Sequence, residues 1–214
     1  MPSPSIQSAN QYNGGGSPNG SCAYPSNNTA GNTSVVTLWY DVIGATASIP
    51  TDTQGNTYVL AATAFSALGG SGGYMWVATN IKPGPNTVSC VITSPGDMVV
   101  TVDEEPASGG IRVANSNYNP ANANPSVSLV GTVTNDVVVG FCLGVGTGQA
   151  AGSIGGNSAF QVQNPFGDIL TEDGFSSGGT ITVSSTGSNS GTVAIAAALK
   201  PPGGPADAIF FGSD

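Results

Sequence analysis

The chain has no histidine, only three basic residues in 214, and three cysteines. Each scarcity closes a class of function. Without an imidazole, a serine or cysteine nucleophile has no ordinary base, and Lys82, Arg112 and Lys200 offer few substitutes. The same three cations neutralise too few phosphates for nucleic-acid binding and too little charge for an anionic membrane surface. Cys22, Cys90 and Cys142 are odd in number, lack CxxC spacing and have no histidine to complete a zinc site. They read as buried small hydrophobes, with one disulfide plus a spare thiol as the alternative; in residues 87–92 alternation places Val88, Cys90 and Ile92 on one face. No run of about 18 apolar residues occurs, so no helical membrane span is expected. The most apolar stretch, residues 191–199, is short and rich in alanine.

What is abundant is glycine, at 32 residues, and acid over base, 12 against 3, for a net charge of −9. Charged residues are only 7% of the chain, while 39% hydrophobic content supplies a core. Short β-branched or aromatic runs recur between Gly, Pro, Asn and Asp clusters, and helical periodicity is nearly absent. The pattern predicts strands at 34–41, 57–65, 74–78, 86–93, 98–104, 126–133, 137–143, 159–163, 180–184 and 191–199. Shorter edge strands are expected at 6–9 and 21–24. Gln54-Gly55-Asn56, Lys82 to Asn86 and Ser94-Pro95-Gly96-Asp97 carry turn chemistry and read as hairpin connections. The expected fold is all-β, a two-sheet antiparallel β-sandwich or jelly roll with extended N- and C-terminal segments.

One domain is expected over residues 1–200, with 1–20 partly irregular. Residues 10–20 and the Asn/Pro/Ala stretch 115–125 read as irregular loops. Residues 201–214 read as a Pro/Gly-tethered tail carrying the apolar patch Ala208-Ile209-Phe210-Phe211. Such a patch normally finds a partner, and Ile209, Phe210 and Phe211 are the expected subunit contacts, with folding back on the chain's own sandwich and a loose tail as the alternatives. The opening Met1-Pro2-Ser3-Pro4-Ser5 lacks the features of a secretory leader, yet the body is low in charge and rich in Gly, Thr, Ser and Asn. Two expectations follow: a leader has been removed, or the protein is made in the cytosol and released on a particle.

The acids form two clusters, Asp103-Glu104-Glu105 and Glu172-Asp173. Two carboxylates flanking a sugar bond are the minimum for glycoside hydrolysis. Neighbouring residues on a strand point to opposite faces, however, so neither cluster alone aims two acids at one substrate. Solvated acidic strand edges are the expectation. Calcium would suit the oxygen donors of Thr51 to Asn56, but the loop lacks a D-x-D-x-D series and a bidentate Glu. An Asx-type turn built on Asp52 and Asn56 is expected there, with no metal and no cofactor. Among the aromatics, Trp39, Trp76 and Tyr74 fall in strands and suit a core, whereas Tyr118 falls in the Asn/Pro stretch. With Asn117 and Asn119, it is the candidate glycan contact.

Several segments read together resemble a broad family of bacterial and phage β-sandwich surface modules of unassigned function. They are Ile6-Gln7-Ser8, Asn27 to Asn32 leading to Trp39-Tyr40, Thr51 to Tyr58, Trp76 to Lys82, Thr134 to Phe141, and the Ala-rich strand closing on Leu199-Lys200-Pro201. The likeness covers about residues 5–201. Where such modules often carry Glu-Tyr-Ser-Gly, this chain has Asp103-Glu104-Glu105-Pro106. The resemblance implies a sandwich and no particular reaction.

The first functional expectation is a non-enzymatic structural protein on a phage virion surface, of decoration or fibre type. Its partners would be copies of itself and other virion subunits, with no nucleic acid and no membrane insertion. The alternatives are a secreted or cell-surface bacterial module that adheres or binds carbohydrate, and a glycan-cleaving enzyme with paired acids.

Overall fold

A computed structural model describes residues 4–65, 71–120, 124–144, 150–155, 157–158, 160–163, 169–186 and 191–203. The described residues form strands β1 (Gln7–Ala23), β2 (Thr33–Asp41), β3 (Thr51–Asp52), β4 (Val59–Phe65), β5 (Ser71–Ala78), β6 (Thr87–Glu105), β7 (Ile111–Asn119), β8 (Ser126–Thr132), β9 (Val137–Leu143), β10 (Ala150–Ile154), β11 (Asn157–Ser158), β12 (Phe160–Gln163), β13 (Ile169–Phe175), β14 (Gly179–Thr186) and β15 (Thr192–Leu199). No helix occurs among them. All pairings are antiparallel, as the expected β-sandwich requires.

Three sheets stack. The first has the order β1-β6-β2-β5-β4, with β3 on β6; the second is β12-β13-β9-β15-β7; the third is β11-β10-β14-β8. Val35, Met75, Val77 and Val99 of the first sheet meet Val139, Phe141, Leu143, Val193 and Ile195 of the second. The opposite face of that second sheet carries Val138, Cys142, Ala194, Ala196 and Ala198, which meet Val127, Leu129, Ile181 and Val183 of the third. The middle sheet is therefore covered on both sides. Its strands β9 and β15 read as continuous apolar runs, VVVGFCL and TVAIAAAL, because neither face meets water. A sandwich of two layers is thus extended by a third.

Sheet one curls on itself. Its outer face holds Val36, Leu38, Tyr40, Tyr74 and Trp76, which pack with Cys22, Val88, Cys90 and Ile92 from the other end of the β1–β6 ribbon. Tyr74 and Trp76 stack with ring centroids 5.0 Å apart. Residues 42–58 close over the same face: Tyr40 Oη donates to Ala45 O at 2.7 Å, and Ala47 bridges to Ile92.

Three loop expectations are corrected here. Residues 94–97 do not reverse the chain, and β6 runs through them as one strand. Residues 10–20 are not irregular but lie within β1, which pairs along both halves of β6. The physical reason is that each strand bears its irregularity opposite the other's: β1 slips register at Ser17, which pairs with Gly96. Pro and Gly inside a strand are tolerated at such a kink. Gly96 is required there, because a Cβ would lie 1.9 Å from Val42 Cγ2. In the 115–125 stretch, residues 115–119 belong to β7. The cysteines are free and buried, and burial pushes the Cys22 and Cys90 thiols up to about 12.

Candidate functional site: carboxylates sealed between sheets

β6 ends in Asp103-Glu104-Glu105, and strand alternation sends the middle residue one way and its neighbours the other. Glu104 shares the face of Val100 and Val102, at the margin of the curled sheet. Its Oε1 accepts from Thr29 N at 2.8 Å and Asn32 Nδ2 at 2.6 Å, and its Oε2 accepts from Asn28 Nδ2 at 2.8 Å and from Gln7 Nε2. Burial alone would raise this acid's pKa. The donors from Asn28, Gln7, Asn32 and Thr29 more than reverse that, so it stays below the ordinary carboxylate value. The Asn27–Asn32 run therefore serves as a donor cradle that ties the 26–32 loop and β1 to sheet one.

Asp103 and Glu105 occupy the opposite face, with Val99 and Thr101, in the seam against the middle sheet. Asp173 faces the same seam from β13, in line with Ile169 and Phe175. All three acids are buried. Asp103 Oδ2 and both Glu105 oxygens meet no hydrogen-bond donor. Burial, reinforced by the repulsion of Asp173, holds both Asp103 and Glu105 well above the ordinary carboxylate range.

Glu172 points to the other side of the middle sheet. It lies over Gly140, where an added Cβ would sit 2.4 Å from Val183 Cγ1 and 3.3 Å from Glu172 Cγ. Gly140 thus makes the room that Glu172 fills. Burial pushes its pKa up to about 8, opposed by the backbone N–H of Ser184 and reinforced by the charge of Asp173.

This corrects the expectation of solvated acidic strand edges. A polar strand end can be covered as readily as an apolar one once another sheet stacks on it, and protonation lowers the penalty of doing so. It also shows what reading each cluster alone misses: Asp103 and Glu105 face Asp173 across two sheets. The four acids are buried, Glu172 on one side of the middle sheet and the other three on its opposite side, and present no open pair to a sugar. Among the described residues no group of His, Cys, Asp or Glu is arranged to hold a metal ion.

The remaining candidates separate. Tyr118 is not in a loop; it lies on β7, packs against the core between sheets one and two, and buries its hydroxyl without a partner. The cause is pairing of residues 111–119 with β15, which the Asn-rich composition hides. Asn117 is exposed and donates to Ser126 O at 3.0 Å, and Asn119 pairs with Thr192. Ile209, Phe210 and Phe211 lie outside the described residues. Trp76 and Tyr74 are core residues, and Trp39 packs against the core from its edge.

The Asx turn forms as expected. Asp52 Oδ1 accepts from Gln54 N and Asn56 N at 3.1 and 2.9 Å, and Oδ2 accepts from Asn56 Nδ2, Tyr58 Oη and Asn86 Nδ2. Burial raises and these donors lower the Asp52 pKa, with a net fall. Every acceptor site is thereby engaged by protein donors. Comparison of the chain with family models, curated proteins and solved structures finds no match in any of the three.

Proposed function

We propose that this chain is a non-enzymatic structural protein that works through contacts with neighbouring subunits, as a surface subunit of a phage particle. The observation that carries the reading is the placement of its exposed apolar side chains. Ile43 is 84% exposed, in the segment that covers the outer side of sheet one, and Ile49 lies in the same segment. Val130 is 69% exposed on the outward side of β8 in sheet three. These are opposite outer layers of the stack. A subunit with one adhesive spot on each side makes heterologous contacts, the kind that link copies into rings or arrays.

Other features support the reading. Asp103, Glu105 and Asp173 are inside the seam, whereas Ser126 and Ser128 of β8 and Thr180, Thr182 and Thr186 of β14 face outward and suit flat packing against another polar surface. The resemblance to phage and bacterial surface modules points the same way.

The test uses the full chain carrying Ile43→Asp or Val130→Asp. Light scattering at rising concentration, with labelling of particles from the native source, is expected to show loss of assembly or incorporation while circular dichroism stays unchanged. Wild-type assembly by both variants, or absence of the protein from particles, overturns the proposal.

A further inference from the structure

Strands β4 and β7 are the edges of two different sheets and lie alongside each other. Ser116 Oγ donates to Thr63 O at 2.6 Å and pins them together towards one end. Towards the other end a cleft of about 210 Å³ opens, lined by Thr57, Val59, Val77, Thr79, Gly110 and Ile111. Val, Ile and Thr methyl groups make its walls mostly apolar. A cavity of roughly 150 Å³ with aliphatic walls admits a benzene ring, so this cleft has room for one aromatic side chain. Val59, at its mouth, is 60% exposed, and Leu60 beside it is also exposed. An apolar edge strand left open is a surface that a protein normally covers.

The chain itself passes this mouth as it leaves the fold. Lys200 N donates to Gly110 O at 2.9 Å, and Gly109 N donates to Lys200 O at 2.8 Å. The last described residue, Gly203, is three positions further on. Phe210 follows Gly203 by seven residues, a span of up to roughly 25 Å at about 3.5 Å per residue. The Ala208-Ile209-Phe210-Phe211 patch can therefore reach a cleft whose wall the chain has just left.

We propose that the Ile209–Phe211 segment docks in the cleft of its own chain, placing a phenylalanine ring between Val59 and Ile111 and covering the β4 edge. Tether length decides between this seat and the same seat on another copy. A tether this short gives a local concentration in the millimolar range, far above micromolar protein, so the intramolecular seat wins. The assembly reading rests on Ile43 and Val130, so either proposal can fail without the other.

The experiment uses the full chain with Val59→Cys and Phe210→Cys together, oxidised at micromolar concentration. Cys22, Cys90 and Cys142 are buried and do not compete. The expected product is a disulfide within one chain, seen as monomer mass with altered non-reducing mobility. A disulfide-linked dimer overturns the proposal in favour of exchange between copies, and no disulfide overturns it outright. Hydrogen exchange on the full chain carrying Phe210→Ser and Phe211→Ser provides a second readout. Amides of residues 59–63 and 110–114 are expected to exchange about tenfold faster or more than in the wild type, while β9 and β15 are unchanged. Identical exchange in both proteins overturns the proposal.

Discussion

Glu104 and Glu105 are consecutive, both are fully buried, and neither is paired with a described cation by an ion pair. They meet the cost of burial in opposite ways. Glu104 keeps its charge because four donors surround it. Glu105 has its pKa raised, because burial is met by no donor to its oxygens and Asp173 and Asp103 lie nearby. A buried carboxyl is thus either cradled or protonated, and the choice follows from which face of the strand it occupies.

The largest expected effect comes from removing the cradled acid. Glu104→Ala leaves buried donors from Gln7, Asn28, Thr29 and Asn32 without an acceptor, and is expected to cost about 3–5 kcal/mol by urea unfolding at pH 7. A loss under about 1 kcal/mol would show that the cradle is re-solvated and the contrast with Glu105 is false.

The second effect has the opposite sign and depends on pH. A group whose folded pKa is raised contributes stability that is complete below its unfolded value, near 4, and is lost as pH climbs through the folded value. For Asp103, Glu105 and Glu172 the fold therefore weakens as pH rises above about 4, and the share of Glu172 is lost by about pH 8. Glu105→Gln removes one such acid and is expected to raise stability at pH 9 relative to the wild type, with little change at pH 4. Thermal melts across pH check this, and an equal effect at both ends would refute the raised pKa.

Gly140→Ala tests the room beneath Glu172. The added methyl lies too close to Val183, so a loss of about 1–3 kcal/mol is expected, and combining it with Val183→Ala should recover part of it. The smallest effect is at Asp52, a half-buried cradled acid. Asp52→Asn is expected to cost about 1 kcal/mol at pH 7, and less as pH falls through the lowered pKa of the wild-type acid. The wild-type acid, like Glu104, loses on protonation the stability that its lowered pKa confers above the ordinary carboxylate value. With cradled acids lost at low pH and sealed acids charging at high pH, the wild-type melting temperature should peak at mildly acidic pH.

Much of the fold was legible along the chain. Residues 34–41, 126–133 and 137–143 match β2, β8 and β9 closely, because β-branched residues crowd into strands and Gly or Asn bound them. Gly55 takes the positive φ its turn demands, at 66°. The Ser94-Pro95-Gly96-Asp97 signal misled, since a sequence that favours a hairpin also suits a kink when a partner strand carries a matching slip. Tyr118 misled for a related reason: Asn-rich composition argues for a loop, but an edge pairing with β15 outweighs propensity. The apolar cleft left no local trace, because Thr57, Val77 and Ile111 come from three separate stretches of chain.

Sequence alone determined the all-β class, the burial of the cysteines, the Asx turn at Asp52 and the opposed directions of Glu104 and Glu105, since all depend on short-range alternation and turn chemistry. Only the tertiary structure decided that Asp103 and Glu105 would be shut against Asp173 while Glu104 met the Asn27–Asn32 run. Those partners lie about 70 residues away in either direction, and stacking of sheets, which no local pattern encodes, brings them together.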